Sequence, residues 1–283
     1  MTPRVKIVTD STCDLSSDIV EKYDIKVVPA YVNFGDKSFR DGINITYDDF
    51  YKRLLEDKTH PKTAAASPGN FLNTYLEVVK DKNIESIVAI TVTKELSGMY
   101  QSAINAANQM NEMGYNVHVI NSTTTTMGLG FIIMVAAEEA MKGKSSDEII
   151  KIINDTIPRV DVYAVLDTLK YLEKGGRIKK SARIFGSVLN IKPIIRVKDD
   201  GVTPYKRFRS FDGAIKELYD ICVNSGLERL AVMYSTDGSK ARSLAKDIKE
   251  AIKIEPYIGR ITPALGTHVG PGALGIALLK NEP

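Results

Sequence analysis

The 283-residue chain contains no tryptophan, two cysteines and three histidines. Cys13 and Cys222 are too few for a disulfide framework or a thiolate metal site. His60, His118 and His268 form no H-E-x-x-H pair, and the chain has no G-x-S-x-G elbow, so the metallopeptidase and α/β-hydrolase patterns are missing. The longest apolar run, Gly128 to Ala137, is too short to cross a bilayer and ends in Glu138 and Glu139; it reads as a buried helix. The N-terminal "RVKIVTD" enters a strand without a basic segment, an apolar segment or a cleavage site. A cytoplasmic protein of bacterial type, without stable membrane insertion, is therefore expected.

The net charge of +3 hides an uneven distribution. Twelve of the lysines and arginines lie between Lys170 and Arg209, against three acidic residues. Such a stretch suits nucleic acid, a membrane surface or an acidic partner protein, as well as a plain solvated face. Without tryptophan or an interleaving of aromatic and basic residues, nucleic acid is the weakest of these.

Up to about residue 158, apolar strands alternate with amphipathic helices: "VKIVTD", "IKVVPAYVNF", "SIVAITV" and "NVHVINS", each followed by a helical pattern. That alternation predicts a parallel sheet with crossover helices, and Gly35-Asp36 predicts an inserted hairpin. A helix over 146–156 stops at Pro158. Beyond it, "VDVYAVLD", "IKPIIRVK", "VTPYKRFRS", "RLAVMYS", "YIGRITPA" and "ALGIALL" read as strands with fewer helices between them, and Asp200-Gly201 as a tight turn. Two α/β domains, 1–158 with a parallel sheet and 159–283 with a mixed sheet, are expected to pack directly and leave a cleft.

A literal G-x-G-x-x-G occurs at Gly270, Gly272 and Gly275. The dinucleotide fingerprint requires a helix after the glycines and an acid about 20 residues on. Here a strand pattern follows, Pro271 removes one backbone donor, and eight residues remain. Gly143-Lys144-Ser145 lacks the first glycine of a phosphate loop. Other residues suit an anion better. "TVTKELSGMYQSA" runs from strand through loop to helix, with Ser97 expected as N-cap and the amides of Gly98 and Met99 in the first turn. In "KTAAASPGNF", Ser67 and Pro68 read as N-cap and first helical residue, leaving Thr63 just upstream of them. His118 alternates with valines and is expected to be a hydrogen-bonded structural residue. His268 lies in a stretch rich in glycine and proline, where its imidazole is free to meet a ligand.

These segments, taken in order, resemble the DegV family of bacterial fatty-acid-binding proteins: "VTDSTCDL", "TAAASP", "LSGMYQSA", "INSTTTTMGLG", "TLKYLEKGGRI", "IKPII" followed by a "DG" turn, and "THVGPGALG". The resemblance implies a long-chain fatty acid buried between the two domains, no cofactor, and no catalysis by this chain alone. By position it assigns the carboxylate to Thr63, Ser97, Gly98 and His268, with Arg177 as a secondary candidate. It further implies a partner, the catalytic subunit of a fatty acid kinase, to which the carboxylate is presented for acyl phosphate formation; Lys206, Arg207 and Arg209 look like the surface it would meet. Transient membrane contact is compatible with that role. Ala64, Met99 and Asn121 depart from the family's usual serine, threonine and aspartate. The alternative is a stand-alone hydrolase or phosphotransferase using the same anion pocket.

A sixteen-carbon tail at ~0.8 kcal/mol per methylene contributes on the order of 12 kcal/mol before association costs. Tail burial is thus expected to dominate affinity, with an uncharged polar clamp holding the carboxylate. In "SARIFGSVLNIKP", Ala182, Phe185, Val188 and Leu189 share a helical face that can supply part of the tunnel; core packing alone explains such a stripe, and none of the four is assigned to the tail.

Overall fold

The structure is a computed structural model that describes residues 4–57, 59–178, 191–198 and 201–282. The helical face at Ala182, Phe185, Val188 and Leu189 lies outside the described residues. The first half runs β1 (Val5–Asp10), a 3-10 turn (Ser11–Cys13), α1 (Ser17–Lys22), β2 (Lys26–Val28), β3 (Tyr31–Phe34), β4 (Lys37–Arg40), α2 (Tyr47–Glu56), β5 (Lys62–Ala64), α3 (Pro68–Val78), β6 (Ser86–Thr91), α4 (Met99–Glu112), β7 (Val117–Asn121), α5 (Thr126–Met141) and α6 (Ser146–Thr156).

The alternation produces a parallel sheet in the order β2-β1-β6-β7. Every residue of β1 and β6 is buried, as a strand covered on both faces requires. Helices α3 and α4 pack together beside β2, β6 and β7, while α5 and α6 contact β1 and β6. The stretch read as one strand, "IKVVPAYVNF", divides at Pro29-Ala30. Proline has no N–H for the ladder. β2 therefore stays in the parallel sheet and β3 joins a separate antiparallel sheet, β4-β3-β5, through the expected hairpin pairing Phe34 with Lys37.

The second half runs β8 (Val160–Val165), α7 (Lys170–Gly175), β9 (Lys192–Lys198), β10 (Gly201–Phe208), α8 (Phe211–Val223), β11 (Leu227–Tyr234), α9 (Ser239–Ile252), β12 (Tyr257–Arg260), α10 (Pro263–Val269) and β13 (Leu274–Lys280). Its sheet has the order β10-β9-β8-β13-β11-β12, antiparallel throughout except for β11 and β12. Ala214, Leu218, Leu244 and Ile248 of α8 and α9 cover one face with an apolar cluster of their own. The opposite face supplies Val162, Val197, Ala277 and Leu279 to the core that also contains Leu129 and Phe131 of α5. Helix α5 is buried nearly all round because it is apolar all round and has a sheet on each side.

One expectation fails in a useful way. "YIGRITPA" stops being a strand at Arg260, and Thr262-Pro263 opens α10 with proline at its first position. Although late in sequence, α10 packs on α2, α7 and β3 and so reaches into the first half. Carboxylates hold its start: Asp14 Oδ1 accepts from Thr262 N at 3.0 Å and Asp41 Oδ1 from Ala264 N at 3.1 Å.

Candidate functional site

Thr63, Ser97, Gly98, Arg177 and His268, scattered over more than two hundred positions, line one cavity. Thr63 is the middle residue of β5, where its register partner is Val32. Its Oγ1 lies 2.9 Å from His268 Nε2. His268 is on the last turn of α10 and not in a loop. The N-cap of α4 is Gly98 and not Ser97: Ser97 precedes it, and its Oγ accepts the Met99 N–H at 3.4 Å. The start of a fourteen-residue helix, with its partial positive charge, therefore adjoins this wall of the cavity. Arg177 is fixed by its Nε donating to Leu96 O at 3.2 Å and its Nη1 to Gly175 O at 2.6 Å. The polar end of the cavity thus includes the cation of the secondary candidate, Arg177.

Burial pushes the His268 imidazole down to about 3, and the nearby charges of Arg177 and His60 add to the effect. At neutral pH the ring is uncharged. With Nε2 engaged by Thr63, Nδ1 is buried and has no partner among the described residues. Gly175 makes room for this ring, since a Cβ there would come within 2.1 Å of Nδ1. Gly270 ends α10 at φ +77°, and a Cβ there would lie 2.3 Å from the Tyr171 ring. Those two glycines serve helix packing. No helix follows Gly275, which is already within β13, as the rejection of a dinucleotide loop requires.

A second pocket adjoins the first and shares Thr125, Ile195, Val197, Leu265 and Val269 with it. Beyond them it is walled by Val162, Met233, Ile261 and Ile276 among others. Polar groups thus gather in the first pocket, and the second is walled mainly by aliphatic side chains. Leu265 and Val269 escaped sequence reasoning because α10 was read as the end of a strand. The Thr262-Pro263 pair was the available signal.

Other predicted residues fall elsewhere. Lys206, Arg207 and Arg209 are exposed at the far end of edge strand β10 and just beyond it, outside the cavity wall. Lys206 Nζ is 2.6 Å from Glu217 Oε2. His118 lies in β7 as expected, but its Nε2 has no hydrogen-bond partner. Ser67 caps α3 through a reciprocal bond with Asn70, and Ser145 caps α6 with Glu148. Ala64 lines the cavity. Met99 is a core residue whose sulfur accepts the Ala66 N–H at 3.0 Å, and Asn121 Oδ1 braces its loop by accepting from Lys94 N at 3.1 Å.

Among the described residues, no group of three or more His, Cys, Asp or Glu is placed to hold a metal ion, and no helix is long and apolar enough to cross a membrane. The model of the family described as "Uncharacterised protein, DegV family" matches residues 4–281. The chain belongs to the DegV family. A DegV domain-containing protein of Caldanaerobacter subterraneus is 34% identical over 281 residues, covering 96% of this chain and 98% of that protein. One from Listeria innocua is 30% identical, with 98% of each covered. Among solved structures, a fatty-acid-binding DegV family protein from Thermus thermophilus superposes with a TM-score of 0.89 at 26% identity, over 98% of this chain and all of that one. A stearic-acid-binding protein from Eubacterium ventriosum gives 0.89 at 26% identity over 98% of both chains. DegV of Bacillus subtilis, a fatty-acid-binding protein, gives 0.87 at 27% identity over 98% of this chain and 99% of that one. The mixed α/β architecture, a parallel sheet followed by a mixed one, is that of DegV proteins.

Proposed function

We propose that this chain binds a long-chain fatty acid in the cavity between its 1–158 and 159–283 domains and holds the carboxylate among Thr63, Ser97, the Gly98 amide and His268. The observation that carries this reading is the contrast between two adjoining pockets that share a wall: polar groups line the first, and mainly aliphatic side chains the second. A buried carboxylate without donors costs several kcal/mol. Two hydroxyls, a neutral imidazole and a helix start supply donors, and the fixed Arg177 guanidinium supplies opposite charge. The chain is then a carrier. It presents the carboxylate to the catalytic subunit of a fatty acid kinase, which docks through Lys206, Arg207 and Arg209. Fatty acid binding by its relatives supports the first part; the uneven charge of the second domain supports the partner.

The hydrogen bond between Thr63 and His268 also has the form of a nucleophile and its base, which is what the alternative hydrolase reading needs. Two features oppose it. His268 has no third group orienting Nδ1, and burial makes it too weak a base for work near neutral pH.

Mass spectrometry of the lipid that co-purifies, followed by stearate titration of the delipidated chain, tests the proposal. Saturable binding that weakens in Ser97→Ala and His268→Ala, with no ester or acyl phosphate turnover by the isolated chain, is the expected result. Undiminished binding in both variants refutes the headgroup assignment.

A further inference from the structure

Helix α10 turns one face to the cavity. Pro263, Ala264, Gly266 and Thr267 are buried, whereas Leu265, His268 and Val269, spaced i, i+3 and i+4, are only half-buried, and all three line the first pocket. The backbone of this helix is pinned. Asp14 and Asp41 accept from the N–H groups of Thr262 and Ala264 at its start, and at Gly266 it lies so close to α2 that a Cβ would come within 2.6 Å of the Tyr51 hydroxyl and 2.7 Å of the Phe50 ring. Any movement on the cavity side therefore falls to side chains.

Among the described residues, five line both pockets and so stand between them: Thr125, Ile195, Val197, Leu265 and Val269. Four of these are branched at Cβ, which restricts χ1, and Ile195 and Val197 are also packed into strand β9 of the sheet. Leu265 alone of the five is unbranched there. Its χ1 and χ2 can exchange between staggered rotamers while the helix stays where it is. We infer that Leu265 is the gate between the two pockets and sets how long an acyl chain the protein takes up, because a chain that outgrows the first pocket enters the second only when this side chain turns aside. The inference rests on the fatty-acid reading above and adds to it the residue that governs chain length.

The test is titration of the delipidated full chain with saturated acids from decanoate to stearate, together with stopped-flow association rates. In wild type, affinity should climb with length by up to about fourfold per methylene. Leu265→Phe, which fills the way through, should lower the ratio of stearate to decanoate affinity by roughly tenfold or more, the burial of two or more methylenes. Leu265→Ile keeps the carbon count and adds the branch at Cβ, so stearate association should slow several-fold relative to decanoate; Leu265→Ala should speed it by the same measure. A merely structural role would move both acids alike. Melting temperatures verify folding, and if Leu265→Phe does not fold, the rates of the other two variants decide. An affinity ratio unchanged in a folded Leu265→Phe, or relative rates unchanged in Leu265→Ile and Leu265→Ala, would overturn the inference. Those results sink the gate alone, whereas failure of wild type to bind any of the acids sinks the fatty-acid reading itself.

Discussion

Asp10, Asp14 and Asp41 are buried as deeply as the hydrophobic core, and each of their six carboxylate oxygens accepts at least one hydrogen bond. In two residues that line the cavity the treatment is opposite: His268 Nδ1 and the Thr125 hydroxyl are just as hidden from water and have no partner among the described residues. A satisfied buried polar network specifies structure, and the aspartates do this by joining the first strand and its turn to α10. Unsatisfied buried groups cost stability. The two regions meet in α10, whose amino end is held by the first and whose last turn carries the histidine of the second.

The regions also tilt stability in opposite directions with pH. Burial pushes Asp41 up to about 7 and Asp14 to about 6, so between about pH 4 and 7 the folded chain retains protons that the unfolded chain has released. Their contribution is largest at low pH and is lost as the pH rises through that window. Burial holds His268 at about 3, so the folded ring refuses a proton that the unfolded chain takes up below about pH 6.5. Its contribution is present above that value and is lost as the pH falls.

Removing an acceptor from the satisfied region should have the largest effect. Asp41→Ala strips the acceptors from Ser11 Oγ and Ala264 N and is expected to lower urea stability by about 3 kcal/mol. A loss under about 1 kcal/mol would erase the distinction between the two regions. Next comes Gly175→Ala, whose Cβ displaces the His268 ring. It should cost about 1 to 3 kcal/mol and weaken stearate binding as much as His268→Ala does, read by chemical denaturation and titration. Asp41→Asn removes one group that titrates in the folded state. Relative to wild type, its urea stability should fall less steeply between about pH 5 and 8; an unchanged slope would mean that Asp41 does not titrate there. At the cavity, Thr63→Val should weaken stearate several-fold and lower stability by about 1 kcal/mol, because it also removes the partner of His268 Nε2; titration and urea denaturation read the two effects. The smallest effect belongs to Lys206→Glu combined with Arg209→Glu: stearate affinity within about twofold and stability within about 0.5 kcal/mol of wild type, as for surface residues outside such networks. Loss of coupling to an added kinase subunit would be their measurable consequence.

Much of the fold was readable because it repeats along the chain. Period-two and period-3.6 apolar patterns located β1, β6, β7, α5 and α6 within a residue or two, since burial of one face is a local demand on sequence. Pro29 and Pro263 marked the places where that reading slipped, one dividing a strand and the other starting a helix. The DegV landmarks likewise placed Thr63, Ser97, Arg177 and His268 on one list by order and spacing. Nothing local to "THVGPGALG" indicated that His268 is helical, or that Gly175, far away in sequence, leaves the space for its ring.

The sequence alone determined two α/β halves, an apolar helix between layers and a set of polar residues of the right kinds. Tertiary structure decided which of them meet, that Arg177 brings a charge to the same cavity, and that Thr125 makes no capping bond to its helix. The physical reason is that secondary structure answers to neighbours a few positions apart. A buried hydrogen bond or its absence depends on groups that only folding brings together.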